Sequence, residues 1–182
     1  AGQLDVTSST VEYGPIAAEE GVPVQMVAYT NPSNGTDKII LGPGIESAED
    51  LKGKTVAVLE GGLTQIYMGI WLEENGVAFD EVEYTNLIMD DAVAAMVSGK
   101  VAGGEFWEPF GSNVLKALPD AKVVATSKDP YFVETALLAD GMYMAKPFIE
   151  DTETAALTLK AYFEAVKFLS LIHISEPTRR DP

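Results

Sequence analysis

Apolar and polar positions switch between a period of two and a period of about 3.6 along this chain, and the switches mark its elements. Residues 4–8 and 24–29 predict short strands, and residues 13–20 between them fit a helix closed by Gly21. The apolar run 38–41 is a further strand, punctuated by Gly42, Pro43 and Gly44. Ser47 and Asp50 then have capping-box spacing at the head of a helical turn. Residues 55–59 carry a near-continuous apolar face and pass through Glu60, Gly61 and Gly62 into an amphipathic helix over 64–74, stopped at Asn75 and Gly76. Strands at 82–86 and 101–106 flank a helix over 90–98 that ends at Gly99. A strand at 122–126, an extended segment at 136–145 and the longest helix, 152–169, complete the pattern.

Strands alternating with helices predict an α/β chain with parallel pairing, and connections of about 15 residues or fewer fit a compact unit. An internal echo divides it. The stretch from Ala1 to Asp5 leads into Glu12, Tyr13, Gly14 and Pro15, as the stretch from Ser98 to Ala102 leads into Trp107, Glu108 and Pro109. Each half reads as a helix ending at glycine, a short strand, and a turn at the strand's carboxyl end, the edge where open parallel sheets bind ligands.

Charge narrows the partners. A formal net charge of −16 excludes nucleic acid and anionic membrane surfaces, both of which demand clustered cations. The chain has no cysteine, so disulfides, thiolate metal sites and a cysteine nucleophile are excluded from it. No apolar run reaches the roughly 20 residues that span a bilayer, so no membrane insertion is expected of these residues. The chain opens at Ala1 without initiator Met or signal segment, and its first residues read as the end of a helix, which places the start of the fold upstream. At the other end, His173, Arg179 and Arg180 are the only His and Arg residues, and all lie in 170–182. That segment resembles a translated sequencing-adapter tail and is expected to be non-native; a genuine helical extension is the alternative.

Three stretches carry candidate chemistry. The Glu60, Gly61, Gly62 turn opens a helix, so free N–H groups from Gly62 to Gln65 and the Thr64 hydroxyl are placed to cradle an anionic or polar head group; an ordinary N-cap turn is the alternative. Trp107 and Glu108 follow a strand and combine a stacking surface with an acceptor for a cation or N–H donor, although a core indole and a solvated carboxylate have the same sequence appearance. Ser8, Ser9 and Thr10 end the first strand beside Tyr13 and offer hydroxyls to a ligand or simply to a turn. Without His, Cys or Arg before residue 170, the parts for triad hydrolysis, zinc catalysis and arginine-clamped phosphoryl transfer are missing.

The run SAEDLKGKTVAV at 47–58, then EGG at 60–62, AMVSGKV at 95–101 and WEP at 107–109, in that order and spacing, closely resembles the solute-binding proteins of ABC importers of the nitrate/sulfonate/taurine type, a group that also includes thiamine-pyrimidine precursor proteins. The likeness extends from residue 1 to about 169. It implies a type II periplasmic-binding-protein fold: two α/β lobes with mainly parallel sheets, the first lobe incomplete, closing on a ligand held between them. On that pattern residues 1–40 and 135–169 form the first lobe, 45–130 the second, and 170–182 stand outside both. The family's cleft then takes Ser9, Thr10, Gly62, Thr64, Gln65, Trp107 and Glu108 as ligand contacts, with no cofactor and no metal. Ala102 departs from the Asp usual in the family's Gly-x-Val-Asp stretch, and Gly103, Gly104 and Glu105 are unusual beside it.

The function implied is non-enzymatic capture of a small organic ligand of the sulfonate, taurine, nitrate or pyrimidine class, outside the cytoplasm, by a monomer in the periplasm or held at the cell surface as a lipoprotein. Its partner is a membrane permease. A thiamine-pyrimidine precursor enzyme of the same fold is the alternative, though its His/Cys-rich motif is not present; a ligand-sensing domain of a signalling protein is another. The absence of Arg before residue 170 weighs against an oxoanion, and Glu108 tilts the expectation toward an amine or heterocycle.

Overall fold

The structure, a computed structural model, describes residues 4–135 and 137–175. Most of the segment expected to be non-native, residues 176–182, lies outside the described residues, as do Ala1, Gly2, Gln3 and Ala136.

Two sheets organise the chain. Strands β1 (Val6–Thr10), β2 (Val24–Pro32) and β8 (Ala139–Ala145) form a three-stranded sheet in the order β1-β8-β2, antiparallel throughout. Strands β3 (Lys38–Leu41), β4 (Thr55–Val58), β5 (Glu83–Asn86), β6 (Gly103–Phe106) and β7 (Lys122–Thr126) form a five-stranded sheet in the order β5-β4-β6-β3-β7. Pairing is parallel from β5 through β4 to β6, as alternation with helices predicts, but β3 runs antiparallel to β6 and β7. β3 enters this sheet from the other one through residues 33–37, so no helical crossover within the sheet sets its direction.

The five-stranded sheet is covered on both faces, which is why its strands read as continuous apolar runs rather than alternating ones. On one face Ile39, Leu41, Val56 and Val58 pack with Tyr67, Met68 and Leu72 of helix α2 (Leu63–Glu74). On the other, Ile40, Ala57 and Phe106 pack with Ala92 and Met96 of α3 (Met89–Val97) and Val114 of α4 (Phe110–Ala117). Each large aliphatic side chain buried here stabilises the fold by about 1.5–3 kcal/mol. The glycines of β6 answer to backbone approach: a Cβ on Gly104 would stand 2.8 Å from the Ala57 carbonyl oxygen, and one on Gly103 3.1 Å from that of Ile40.

Around the three-stranded sheet lie α1 (Tyr13–Glu19), α6 (Lys146–Glu150) and α7 (Thr152–Ser175), with Met142 and Met144 of β8 buried beside Ala155. Helix α5 (Pro130–Thr135) sits on the return between the sheets and buries Phe132 against the ring of Tyr67. α7 continues past Leu169 to Ser175, so the change of composition at residue 170 does not end the helix. Among the described residues no helix is long and apolar enough to cross a membrane.

Candidate functional site

The edges of the two sheets meet around a cavity of about 370 Å³. β1 ends at Thr10 and the turn into α1 delivers Glu12 and Tyr13. β4 ends at Val58 and its glycine turn delivers Gly62, Leu63 and Thr64, while β6 ends at Phe106 and delivers Trp107. Because β3 is antiparallel to β6, with Lys38 opposite Phe106, it enters the sheet at the edge where β6 leaves and brings Asp37 to the same wall. Asp140, on β8 and paired with Thr10 and Asn31, completes the opposite wall.

Of the residues the sequence pointed to, Thr10, Gly62, Thr64 and Trp107 line this cavity; Ser9, Gln65 and Glu108 are not among its lining. Ser9 lies next to Thr10 in the β1 ladder, opposite Gly141. The Gln65 side chain folds back, its Oε1 accepting the Gly61 N–H at 2.8 Å. Glu108 is already paired: its Oε1 takes the Lys38 ammonium at 2.7 Å and its Oε2 the Ser112 N–H at 3.2 Å, and Lys38 above all holds its carboxyl below the usual range. The cation expected of a ligand is supplied by the chain itself, from a residue 70 positions away.

The glycine turn is also occupied. Gly61 adopts a φ of +73°, the left-handed conformation glycine tolerates best, and the chain then extends at Gly62 before α2 begins. Gly62 N–H bonds back to the Leu59 carbonyl at 3.1 Å, Gln65 N–H to the Gly62 carbonyl at 3.1 Å, and Leu63 N–H donates at 3.0 Å to Oε1 of Glu12. Thr64 is buried and locks the turn, its hydroxyl accepting from Leu59 N–H at 2.7 Å and donating to Leu59 O at 3.2 Å. The helix N-terminus expected to cradle an anion thus receives a carboxylate of the protein's own.

Glu12 is the residue that sequence reasoning missed. Its Oε1 accepts the Thr10 hydroxyl as well as Leu63 N–H, so one carboxylate joins the β1 turn to the head of α2, while its Oε2 is sheltered from solvent with no hydrogen-bond partner. The turn that carries it is fixed by Tyr143, whose hydroxyl donates to the carbonyls of Thr10 and Val11 at 2.9 and 3.0 Å. The internal echo contained the signal, since it set Glu12 and Tyr13 in the place that Trp107 and Glu108 hold in the other half.

Behind the Asp37 wall lies a second carboxyl. Glu105, on the central strand β6, is 1% exposed, and neither of its oxygens finds a donor. Burial, and then the Asp37 charge, push its carboxyl well above the usual carboxylate range; the Lys38 amide and ammonium oppose this only weakly. Asp37 is raised too, first by burial and less by the Asp140 charge, with Ser33 and Glu105 hydrogen bonds pulling the other way. Of the two, Glu105 is the more deeply buried and is the one that holds its proton. The Ser33 hydroxyl also bonds Asp37. The fully buried Ser127 hydroxyl, which bonds Ser33 and accepts from Gly35 N–H at 2.6 Å, stitches the two connections between the sheets together.

The description NMT1/THI5 like belongs to the family model that matches residues 1–160. The chain belongs to this family. Among relatives of this NMT1/THI5-like chain, the taurine-binding periplasmic protein of Escherichia coli is 27% identical over 113 residues, 62% of this chain and 34% of that protein. The crystal structure of the periplasmic aliphatic sulphonate binding protein SsuA from Escherichia coli superposes with a TM-score of 0.77 at 23% identity, covering 94% of this chain and 58% of that one. The alkanesulfonate-binding SsuA from Xanthomonas axonopodis pv. citri, bound to MOPS, gives 0.67 at 19% identity over 94% of this chain and 62% of that one. At these identities the likeness is one of fold, the two-lobed periplasmic-binding-protein architecture. The chain spans between 30% and 36% of the length of the curated relatives it matches, and these relatives are binding proteins.

Proposed function

We propose that this NMT1/THI5-like chain is the extracytoplasmic solute-binding part of an ABC importer, working in the periplasm or at the cell surface, where it captures a small organic ligand and delivers it to a membrane permease. The observation that carries this reading is the cavity of about 370 Å³ walled by the edges of both sheets, a volume in the range of small-molecule sites. β1, β2 and β8 act as one lobe and the five-stranded sheet as the other, changing over within residues 33–37 and 127–138. Those two connections are tied side by side through Ser127, as a hinge requires, and the Glu12 to Leu63 bond reaches across the cleft from one lobe to the other. The ligand leaves unchanged on this reading, which the binding-protein relatives support.

Within the ligand range of sulfonate, taurine, nitrate and pyrimidine, the lining speaks against a bare oxoanion, since Glu12, Asp37 and Asp140 line the cavity and, among the described residues, no cation does. The test is thermal unfolding of the chain with sulfonates, amines and pyrimidines added in turn. A ligand bound only by the folded state at a hundred times its Kd adds about 2.7 kcal/mol of stability and raises Tm. No rise with any of these classes would overturn the reading.

A further inference from the structure

We propose that Asn34 is a site of spontaneous covalent modification: its side-chain amide is lost to attack by the Gly35 backbone nitrogen, leaving an aspartyl or isoaspartyl link in the connection between the two sheets. The chemistry goes beyond solute capture and is independent of what the cavity takes.

The reaction belongs to the Asn-Gly pair, because glycine has no side chain to obstruct its nitrogen. The Gly35 N–H gives its proton to hydroxide, and the nitrogen attacks Cγ of Asn34. The bond from Cγ to Nδ2 breaks, Nδ2 leaves as ammonia after taking a proton from water, and a cyclic succinimide closes. Water then opens the ring at either carbonyl. Opening at one restores the main chain with an aspartate; opening at the other routes the main chain through the side-chain methylene.

The chain has Asn-Gly pairs at 34–35 and 75–76, and the fold treats them differently. Asn34 is exposed in a bend, and among the described residues its side chain makes no hydrogen bond. One bond holds its attacker, the Gly35 N–H donating to Ser127 Oγ at 2.6 Å. Asn75 caps the end of α2, where its Nδ2 donates to the Trp71 carbonyl at 2.8 Å and Gly76 N–H donates to the Glu73 carbonyl at 3.0 Å. Attack there must break both of these bonds. Asn31, close to Asn34 in the sequence, precedes Pro32, whose nitrogen has no proton to lose and cannot attack.

At Asn34 a longer main chain has consequences. Ser33 N–H is fixed at 2.7 Å to the Leu138 carbonyl and Gly35 N–H at 2.6 Å to Ser127 Oγ, so the backbone is tied down on both sides of the site. An isoaspartyl link adds a methylene between these two points. One of the bonds then gives way, and Ser33, Thr36 and Asp37 of the cavity wall shift with it. Either product also adds a negative charge to the connection that carries Asp37.

The deciding experiment is peptide mass mapping of the chain kept in warm, mildly alkaline buffer, natively and in urea, following conversion of amide to acid at Asn31, Asn34 and Asn75. Electron-transfer fragmentation distinguishes isoaspartate from aspartate. In urea Asn34 and Asn75 convert at similar rates and Asn31 stays intact. In the native chain Asn34 converts at least about twofold faster than Asn75, since each further hydrogen bond that must break slows attack by about two- to tenfold. Ser127→Ala frees the Gly35 N–H and speeds Asn34 by about two- to tenfold while Asn75, whose rate reports on folding, is unchanged. Should Asn75 speed as well, the variant has opened globally and the comparison of Asn34 with Asn75 in the parent chain decides. Native Asn34 converting no faster than Asn75, or a folded Ser127→Ala chain with an unchanged Asn34 rate, overturns the inference.

Discussion

The proton held by buried Glu105 makes stability depend on pH in a way that one substitution isolates. Native Glu105 stays protonated far above its ordinary 4.5 because burial penalises its anion. The unfolded chain releases that proton in the ordinary carboxylate range. Between those limits the native state binds one proton more than the unfolded state, so unfolding becomes easier as pH rises. One proton of difference corresponds to about 1.4 kcal/mol per pH unit, beginning just above the ordinary glutamate value and ending where native Glu105 itself ionises. Glu105→Gln keeps the size of the side chain and replaces the titrating carboxyl with an amide that is neutral at every pH. The groups around the pair, Lys38, Asp140 and Tyr67, are unaltered, and the Tyr67 hydroxyl stays protonated throughout because burial raises it. Urea unfolding followed by the fluorescence of Trp71 and Trp107 at pH 5, 6 and 7 then gives two lines: the wild-type stability falls relative to that of Glu105→Gln by up to about 1.4 kcal/mol for each unit. The difference between two chains cancels the repulsion among the other charged groups, which both share. Parallel lines would mean that Glu105 and Asp37 hold no extra proton in the native state.

Two further outcomes follow from the geometry. Gly104→Ala forces a Cβ to within 2.8 Å of the Ala57 carbonyl oxygen in a paired central strand, where backbone cannot yield as a side chain would; a loss of about 1–3 kcal/mol is expected in the urea midpoint. Glu108→Gln leaves the affinity for any ligand that raises Tm unchanged within about twofold, because that carboxylate already serves Lys38 and Ser112, so a tenfold loss by calorimetry would return Glu108 to the ligand's side of the wall.

What the sequence made legible was local. The passage from β4 through Gly61 and Gly62 to α2 is written in neighbouring residues, an apolar run, a left-handed glycine and a helical period, and it appears where the pattern placed it. Thr10, Gly62, Thr64 and Trp107 were legible for the same reason, as positions at strand ends. The direction of β3 was not, because apolar alternation has no sign and β3 follows a strand of the other sheet, so no crossover within its own sheet fixes it. α4, rich in Gly, Ser and Asn at its start, had too weak a helical pattern to be predicted. The roles of charged residues were the least legible. Glu108 reads as a ligand for a cation until Lys38 arrives from another strand, and Glu12 reads as a helix-start acid until α2 brings it an amide. Glu105, in a strand of otherwise small and apolar residues, is the one charge whose oddity was visible in advance, and its protonation depends on Asp37 lying across the β3 and β6 pairing.

Glu12 holds the Leu63 amide of the facing sheet through one oxygen, and this sets a limit on how firmly a solute-binding protein built this way can stay shut. A hydrogen bond to a charged acceptor contributes about 1.5–3 kcal/mol, a bias of roughly ten- to a hundredfold toward the shut arrangement. Such a bias retains cargo during diffusion, yet the binding energy of a docking partner is large enough to reverse it. Unloading would then begin with the Leu63 amide letting go, and cargo would depart through the gap that this opens.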